Sequence, residues 1–248
     1  MRTWCGATLP LPDLTLVSWN VAMLERSAQA PGSIGRSQIE DAIRRFTLDL
    51  EPDIVCWQEL PNQVPFVETL DLMQATTQSH SGRVATLIAK DSAASACEPT
   101  VKVIDGVGLL STFPELDGRP AFSVGNVHLE PGKGAAGERL AQLGEVVQES
   151  PTERILIVGD TNMRVADVEF VKQAGFSAPK PPRPTWNSKK NRFLSEAHGF
   201  TAYFTRPFAS PGIELGPMTV HDKPEIVDGS RFYWSDHFAL STTFRVPA

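Results

Sequence analysis

Short apolar runs alternate with amphipathic helical patterns along most of this sequence, and that alternation confines the chain to a layered α/β fold. "LTLVSW" (14–19), "DIVCW" (53–57), "VATLIA" (84–89), "VGLLST" (107–112), "AFSVGNVHL" (121–129), "RILIVG" (154–159) and "FALSTTF" (238–244) read as strands. Apolar runs without polar alternation belong to strands buried on both faces. Between the first two, "GRSQIEDAIRRFTLDLEP" sets Ile39, Ile43, Phe46 and Leu50 on one helical face and ends at Pro52. "GERLAQLGEVVQES" (137–150) repeats the device with Leu140, Leu143 and Val147 as its stripe. "VADVEFVKQAGF" (165–176) is a third helix, stopped by Gly175. The pattern predicts sheet inside and helices outside. Residues 177–234 depart from it: "SAPKPPRPTWNSKKNR" reads as loop, and no element can be placed in "ASPGIELGPMTVHDKPEIVDGS".

A length of 248 residues suits one domain over 1–248, and no linker-like or repeated segment divides it. "MRTWCGATLPLPD" lacks the apolar core of a signal peptide, and no stretch approaches the roughly 20 apolar residues that cross a bilayer. The expectation is a monomer, not secreted and without membrane association, in the cytoplasm or, in a eukaryote, the nucleus. Cys5, Cys56 and Cys97 are too few and too scattered for a disulfide framework or a zinc site. Cys56, inside "DIVCWQEL", reads as a small buried hydrophobe. A net charge of −6 argues against coating duplex nucleic acid, while leaving room for a local basic patch.

Polar residues recur at the ends of these strands. "LTLVSWN" ends in Asn20, "DIVCWQEL" carries Gln58 and Glu59, "AFSVGNVHLE" carries Asn126 and His128, "ILIVGDTN" ends in Asp160 and Asn162, and "RFYWSDHFAL" places Asp236 and His237 before the last strand. Each has a local explanation alone: a turn, a cap, a solvated carboxylate or a half-buried histidine. Together, at one rim of a layered sheet, they converge on a shared crevice. Carboxylates and carboxamides without a cysteine cluster suit a hard cation such as Mg²⁺ or Mn²⁺. Glu59 is the natural ligand, with Asn20 or Asp236 close by. Asp160 is then free to orient and deprotonate a water, a role worth about 10²–10⁴ in rate. His237 suits contact with a phosphate oxygen.

The ordered set "WN", "QE", "HL", "GDTN" and "SDH" resembles the endonuclease/exonuclease/phosphatase superfamily, over essentially Thr15 to Phe244. That resemblance implies a four-layer α/β sandwich, two central mixed β-sheets flanked by helices, and a Mg²⁺-dependent phosphoester hydrolase. It implies Asn20 and Glu59 at the metal, Asp160 and Asn162 at the water and His237 at the phosphate, with Asp236 and His128 completing the site. "NVHLE", "GERLAQL", "GDTNMR" and "PTWNS" are further similar to tyrosyl-DNA phosphodiesterase 2-like enzymes, which hydrolyse the bond between a tyrosine and a DNA 5′-phosphate. One departure stands out. Where that family has an acid supporting the catalytic histidine, "HGFTAYFTR" offers Thr201, so either another acid, Asp222 or Asp228, substitutes or the histidine is supported differently.

"KPPRPTWNSKKNR" surrounds Trp186 with Lys180, Arg183, Lys189, Lys190 and Arg192. The resemblance places this tryptophan at a nucleic-acid groove, where a stacked base is worth about 1–3 kcal/mol. The expected partner is a single-stranded end or a protein–DNA adduct. The alternatives are a nuclease or phosphatase of the same fold with another phosphoester substrate, and a catalytically impaired member that binds nucleic acid or protein.

Overall fold

The computed structural model describes residues 13–21, 36–60, 67–77, 83–132, 134–187, 202–223, 225–227 and 230–247. A six-stranded sheet contains β1 (Leu14–Asn20), β2 (Ile54–Leu60), β3 (Leu70–Thr77), β4 (Arg83–Ala89), β12 (Glu214–His221) and β15 (Ala239–Arg245), in the order β12-β15-β1-β2-β4-β3. A five-stranded sheet contains β5 (Thr100–Ile104), β6 (Gly108–Phe113), β7 (Phe122–His128), β8 (Ile155–Asp160) and β11 (Phe208–Ala209), in the order β11-β8-β7-β6-β5. β1–β2 and β7–β8 pair in parallel and the other neighbours antiparallel, so both sheets are mixed. Among the described residues the α-helices are α1 (Arg36–Asp49), α2 (Ala136–Glu149) and α3 (Val165–Gln173).

Side-chain alternation along the strands builds four layers. Leu14, Leu16, Ile54 and Cys56 of the first sheet meet Phe122, Val124, Leu156 and Val158 of the second between the sheets. The intervening residues Trp19, Val55 and Trp57 face outward onto Ile43 of α1. Ile155 and Ile157 face the other way, onto Leu143 and Val146 of α2 and Val168 and Val171 of α3. Every central strand is therefore covered twice, which is why its sequence shows an apolar run. Each such buried Leu, Ile or Phe contributes about 1.5–3 kcal/mol. Cys56 is completely buried, and its apolar surroundings push the thiol pKa up, in keeping with a packing role.

Every expected strand and helix is present, with ends shifted by up to three residues. α1 ends as Glu51 turns into the left-handed region (φ 44°) before Pro52. α2 departs in its facing. Arg139, Leu143 and Val146 are its buried residues, while Leu140 is half-buried and Val147 is 37% exposed. The apolar stripe gave the wrong rotation because a buried arginine occupies a core position.

The region expected to be loop also contains structure. β9 (Trp186–Asn187) pairs with β10 (Ala202–Tyr203), β13 (Glu225–Val227) pairs with β14 (Ser230–Phe232), and β11 and β12 join the main sheets. β3, β5 and β12, absent from the apolar runs, lie at sheet edges. An edge strand has water on one side and carries no continuous apolar signal. β12 even contains Gly216 and Pro217 at a register shift, a placement that only an edge tolerates. Among the described residues, no helix is long and apolar enough to cross a membrane.

Candidate active site

The two parallel pairs deliver four strand ends to the same rim. Asn20 lies opposite Gln58 at the end of the β1–β2 ladder, and His128 lies opposite Asp160 at the end of β7–β8. Asn20 ties the sheets together: its Nδ2 donates to Glu59 Oε1 at 3.0 Å and to Asp160 Oδ2 at 2.9 Å. His128 Nε2 lies 3.7 Å from Glu59 Oε1 and 3.8 Å from Asp160 Oδ2, and His237 Nε2 lies 3.6 Å from Asp160 Oδ2. Five of the expected residues thus form one cluster.

Local backbone devices make this possible. From Trp57 to Leu60, β2 uses one residue more than β4 uses between the partners Ala85 and Arg83. This bulge, with Glu59 at φ 53°, turns toward Asn20 a side chain that simple alternation would aim away. Gly159 has φ 119°, and a Cβ there would sit 2.0 Å from the Val127 carbonyl oxygen. Only glycine permits this approach, which sets Asp160 beside His128. Asn162 adopts φ 48°; its N–H donates to Asp160 Oδ1 at 3.3 Å and its Nδ2 to the Leu129 carbonyl at 2.9 Å. It therefore braces the turn that presents Asp160.

The last segment is anchored through its backbone. Ser235 Oγ donates to the Asn20 carbonyl at 2.7 Å and accepts the His237 N–H at 3.0 Å, while Trp19 Nε1 donates to the His237 carbonyl at 3.1 Å. Ser235 was not singled out in the sequence, although it opens the "SDH" motif. Gln58 and Asn126 also support the rim from inside: Gln58 Nε2 donates to Asn126 Oδ1 at 2.8 Å, and Asn126 Nδ2 to the Ala85 carbonyl at 2.9 Å.

Burial would raise the Asp160 pKa. The facing His237 and His128 imidazoles, the Asn20 amide and the Asn162 N–H outweigh it and hold the carboxyl below the ordinary aspartate range. Asp160 is therefore an anion at neutral pH. Glu59, His128 and Asp160 each offer a ligand atom, all within 4.8 Å of one another, so these three could share a cation. Asp236 lies apart from that trio. Its Oδ2 accepts from Trp186 Nε1 at 3.3 Å, and its Oδ1 is 3.9 Å from His237 Nε2.

Trp186 is half-buried at the edge of the cluster, its ring 5.0 Å from that of Tyr203. Arg183 is engaged with Asp222 at 2.6 Å, and among the described residues Asp160 and Asp236 lie in ion-pair range of His237. Lys189, Lys190, Arg192, Thr201 and Asp228 lie outside the described residues. On the core side of the cluster, a cavity of about 20 Å³ is lined by His237, Asp160, Asn20 and Thr205 among others. Beyond the turn after Asp160 opens a cleft of about 480 Å³, lined by Arg164, Lys180, Tyr203, Phe204 and Arg206. In it Arg164 lies 4.1 Å above the Tyr203 ring and Lys180 lies 3.9 Å above the Phe204 ring.

No known family profile and no curated protein sequence matches this chain. Solved structures do. TDP2 from C. elegans superposes with a TM-score of 0.65 at 20% identity, covering 97% of this chain and 78% of that one. TDP2 from D. rerio complexed with single strand DNA product gives 0.65 at 21% identity, over 95% of this chain and 100% of that one. An endonuclease/exonuclease/phosphatase from Bacteroides vulgatus gives 0.67 at 14% identity, over 95% of this chain and 100% of that one. At these identities the likeness shows the fold: the four-layer, deoxyribonuclease I-like α/β sandwich.

Proposed function

We propose that this chain is a Mg²⁺- or Mn²⁺-dependent phosphodiesterase acting at nucleic-acid ends, with 5′-tyrosyl DNA adducts as a substrate class. The observation that carries the reading is the cluster of Asn20, Glu59, His128, Asp160 and His237, contributed by both sheets and held at one rim. Two carboxylates with a carboxamide and an imidazole fit a hard divalent ion. Glu59 would hold it with Asn20, whose carboxamide would present Oδ1 after half a turn about its last torsion. Bound there, the ion would offset charge on the phosphoryl and leaving oxygens. Asp160, ionised and braced by Asn162, orients a water for in-line attack and takes its proton. His237 donates to a non-bridging phosphate oxygen, where negative charge grows in the transition state.

The cleft beside the cluster supports a nucleic-acid substrate. Two cation–aromatic pairs, with Arg206 nearby, offer positive charge and flat apolar surface on a chain of net charge −6. This is a local strand contact, not a duplex-coating surface. A second reading, an impaired member that binds nucleic acid without hydrolysing it, draws on Thr201, which stands where the resemblance expects an acid to support the catalytic histidine. The test is hydrolysis of a 5′-phosphotyrosyl oligonucleotide, an unmodified oligonucleotide and a small phosphodiester, each with Mg²⁺ and with EDTA. Metal-dependent release of tyrosine is the expected result. No turnover of any of the three would overturn the enzyme reading in favour of the binding one.

A further inference from the structure

Arg139 is completely buried on a face of α2 that otherwise packs Leu143 and Val146. An apolar residue at such a position is usually at least as stabilising as a buried ion pair. The bonds it makes suggest another role. Its Nε and Nη2 donate to Asp167 Oδ2 at 3.0 and 2.7 Å, and its Nη1 donates to the Glu130 and Gly132 carbonyls at 3.2 and 2.7 Å. Asp167 Oδ2 also accepts the Arg164 N–H at 3.0 Å. One guanidinium therefore grips the segment that leaves β7 two residues after His128 and, through Asp167, the segment that leaves β8 four residues after Asp160. The two segments also touch directly, through Asn162 Nδ2 on the Leu129 carbonyl and the Leu129 N–H on the Asp160 carbonyl. Gln142, on the next turn of α2, accepts the Glu130 N–H at 2.9 Å.

We propose that Arg139 and Asp167 are a positioning pair, which fixes the exits of β7 and β8 and so holds His128 and Asp160 in register with Glu59 and Asn20. The proposal rests on the functional reading of that cluster. Its mechanism is geometric: a displacement of about 1 Å at a reacting group lowers turnover about 100-fold, and lost support for a metal ligand weakens the metal about 10–100-fold.

Two variants test it. R139M/D167L replaces the pair by apolar groups and keeps the core filled; R139K keeps the charge but loses the fork. Both are expected to melt cooperatively, with kcat for the phosphotyrosyl oligonucleotide reduced about 10–100-fold, KM within about threefold of wild type, and Mn²⁺ affinity weakened about tenfold in a paramagnetic titration. Amide hydrogen exchange at Leu129 and Asn162 is expected to accelerate at least about tenfold, while Val124 and Leu156 stay protected. If R139M/D167L fails to fold, R139K carries the test through the same measurements. Unchanged exchange at Leu129 and Asn162 in a folded variant overturns the positioning role, whatever the activity. So does accelerated exchange with wild-type kcat and Mn²⁺ affinity. A wild-type protein that neither turns over substrate nor binds Mn²⁺, yet loosens at Leu129 and Asn162 on substitution, overturns the catalytic reading and leaves the brace standing.

Discussion

Replacing Asn20 by Ala removes the donor that bridges Glu59 and Asp160, and the consequence can be worked from the geometry. The facing carboxylate oxygens lie within 4.8 Å of each other. At an effective dielectric constant near 20, two full charges at that distance repel by about 3.5 kcal/mol, in wild type as in the variant. What the substitution removes is the pair of hydrogen bonds that offsets this repulsion, each worth about 1.5–3 kcal/mol to an anion, so about 3 kcal/mol is the expected cost at pH 7. For a chain of this size that corresponds to a melting temperature about 6–12 °C below wild type at pH 7. Scanning fluorimetry in EDTA measures it. A gap under about 2 °C would refute the claim that this amide holds two mutually repelling anions together.

Other substitutions separate the supporting roles. Gly159→Ala drives a Cβ to within 2.0 Å of the Val127 carbonyl at φ 119°, so urea denaturation should show a loss above about 4 kcal/mol, whereas Gly134→Ala, which meets nothing within 4 Å, should change stability by no more than about 0.5 kcal/mol. Asp160 has a folded-state pKa below the ordinary value of 3.8, so its contribution to stability is complete above 3.8 and disappears as pH falls through the folded value. The melting-temperature difference between wild type and D160N should accordingly be flat from pH 7 to 5 and change only below about 3.8. Trp186→Ala should raise KM for a single-stranded oligonucleotide about fivefold or more. Trp186→Phe keeps a ring against Tyr203 but removes the donor to Asp236, so it should lower kcat and spare KM. Equal effects of the two on KM would assign Trp186 to the fold alone.

The sequence was legible where burial is two-sided or where chemistry marks a strand end. The apolar runs located the central strands, and Asn20, Glu59, His128, Asp160 and His237 announced the rim because polar groups at the ends of such runs have few structural explanations. The edge strands β3, β5 and β12 were illegible, since one exposed side breaks the apolar signal. The rotation of α2 was misread because Arg139 satisfies its charge through Asp167 and two carbonyls that no local pattern reveals. The bulge at Glu59 is likewise a property of pairing with β4, not of "WQEL" itself. Gly159 was visible as a glycine, but its reason, the carbonyl of Val127, lies on another strand. The Gln58–Asn126 contact joins strands of different sheets, so it too is settled only by the assembled layers.

The central claim is that Asp160 drives a metal-dependent attack of water on a phosphodiester at this rim. Single-turnover cleavage of a 5′-phosphotyrosyl oligonucleotide, by wild type and by D160N, tests it most directly. The account predicts cleavage by wild type in Mg²⁺, none in EDTA, and a rate for D160N lower by about 10²–10⁴ while its melting remains cooperative. Cleavage by folded D160N at the wild-type rate, or wild-type cleavage that survives EDTA, would contradict it.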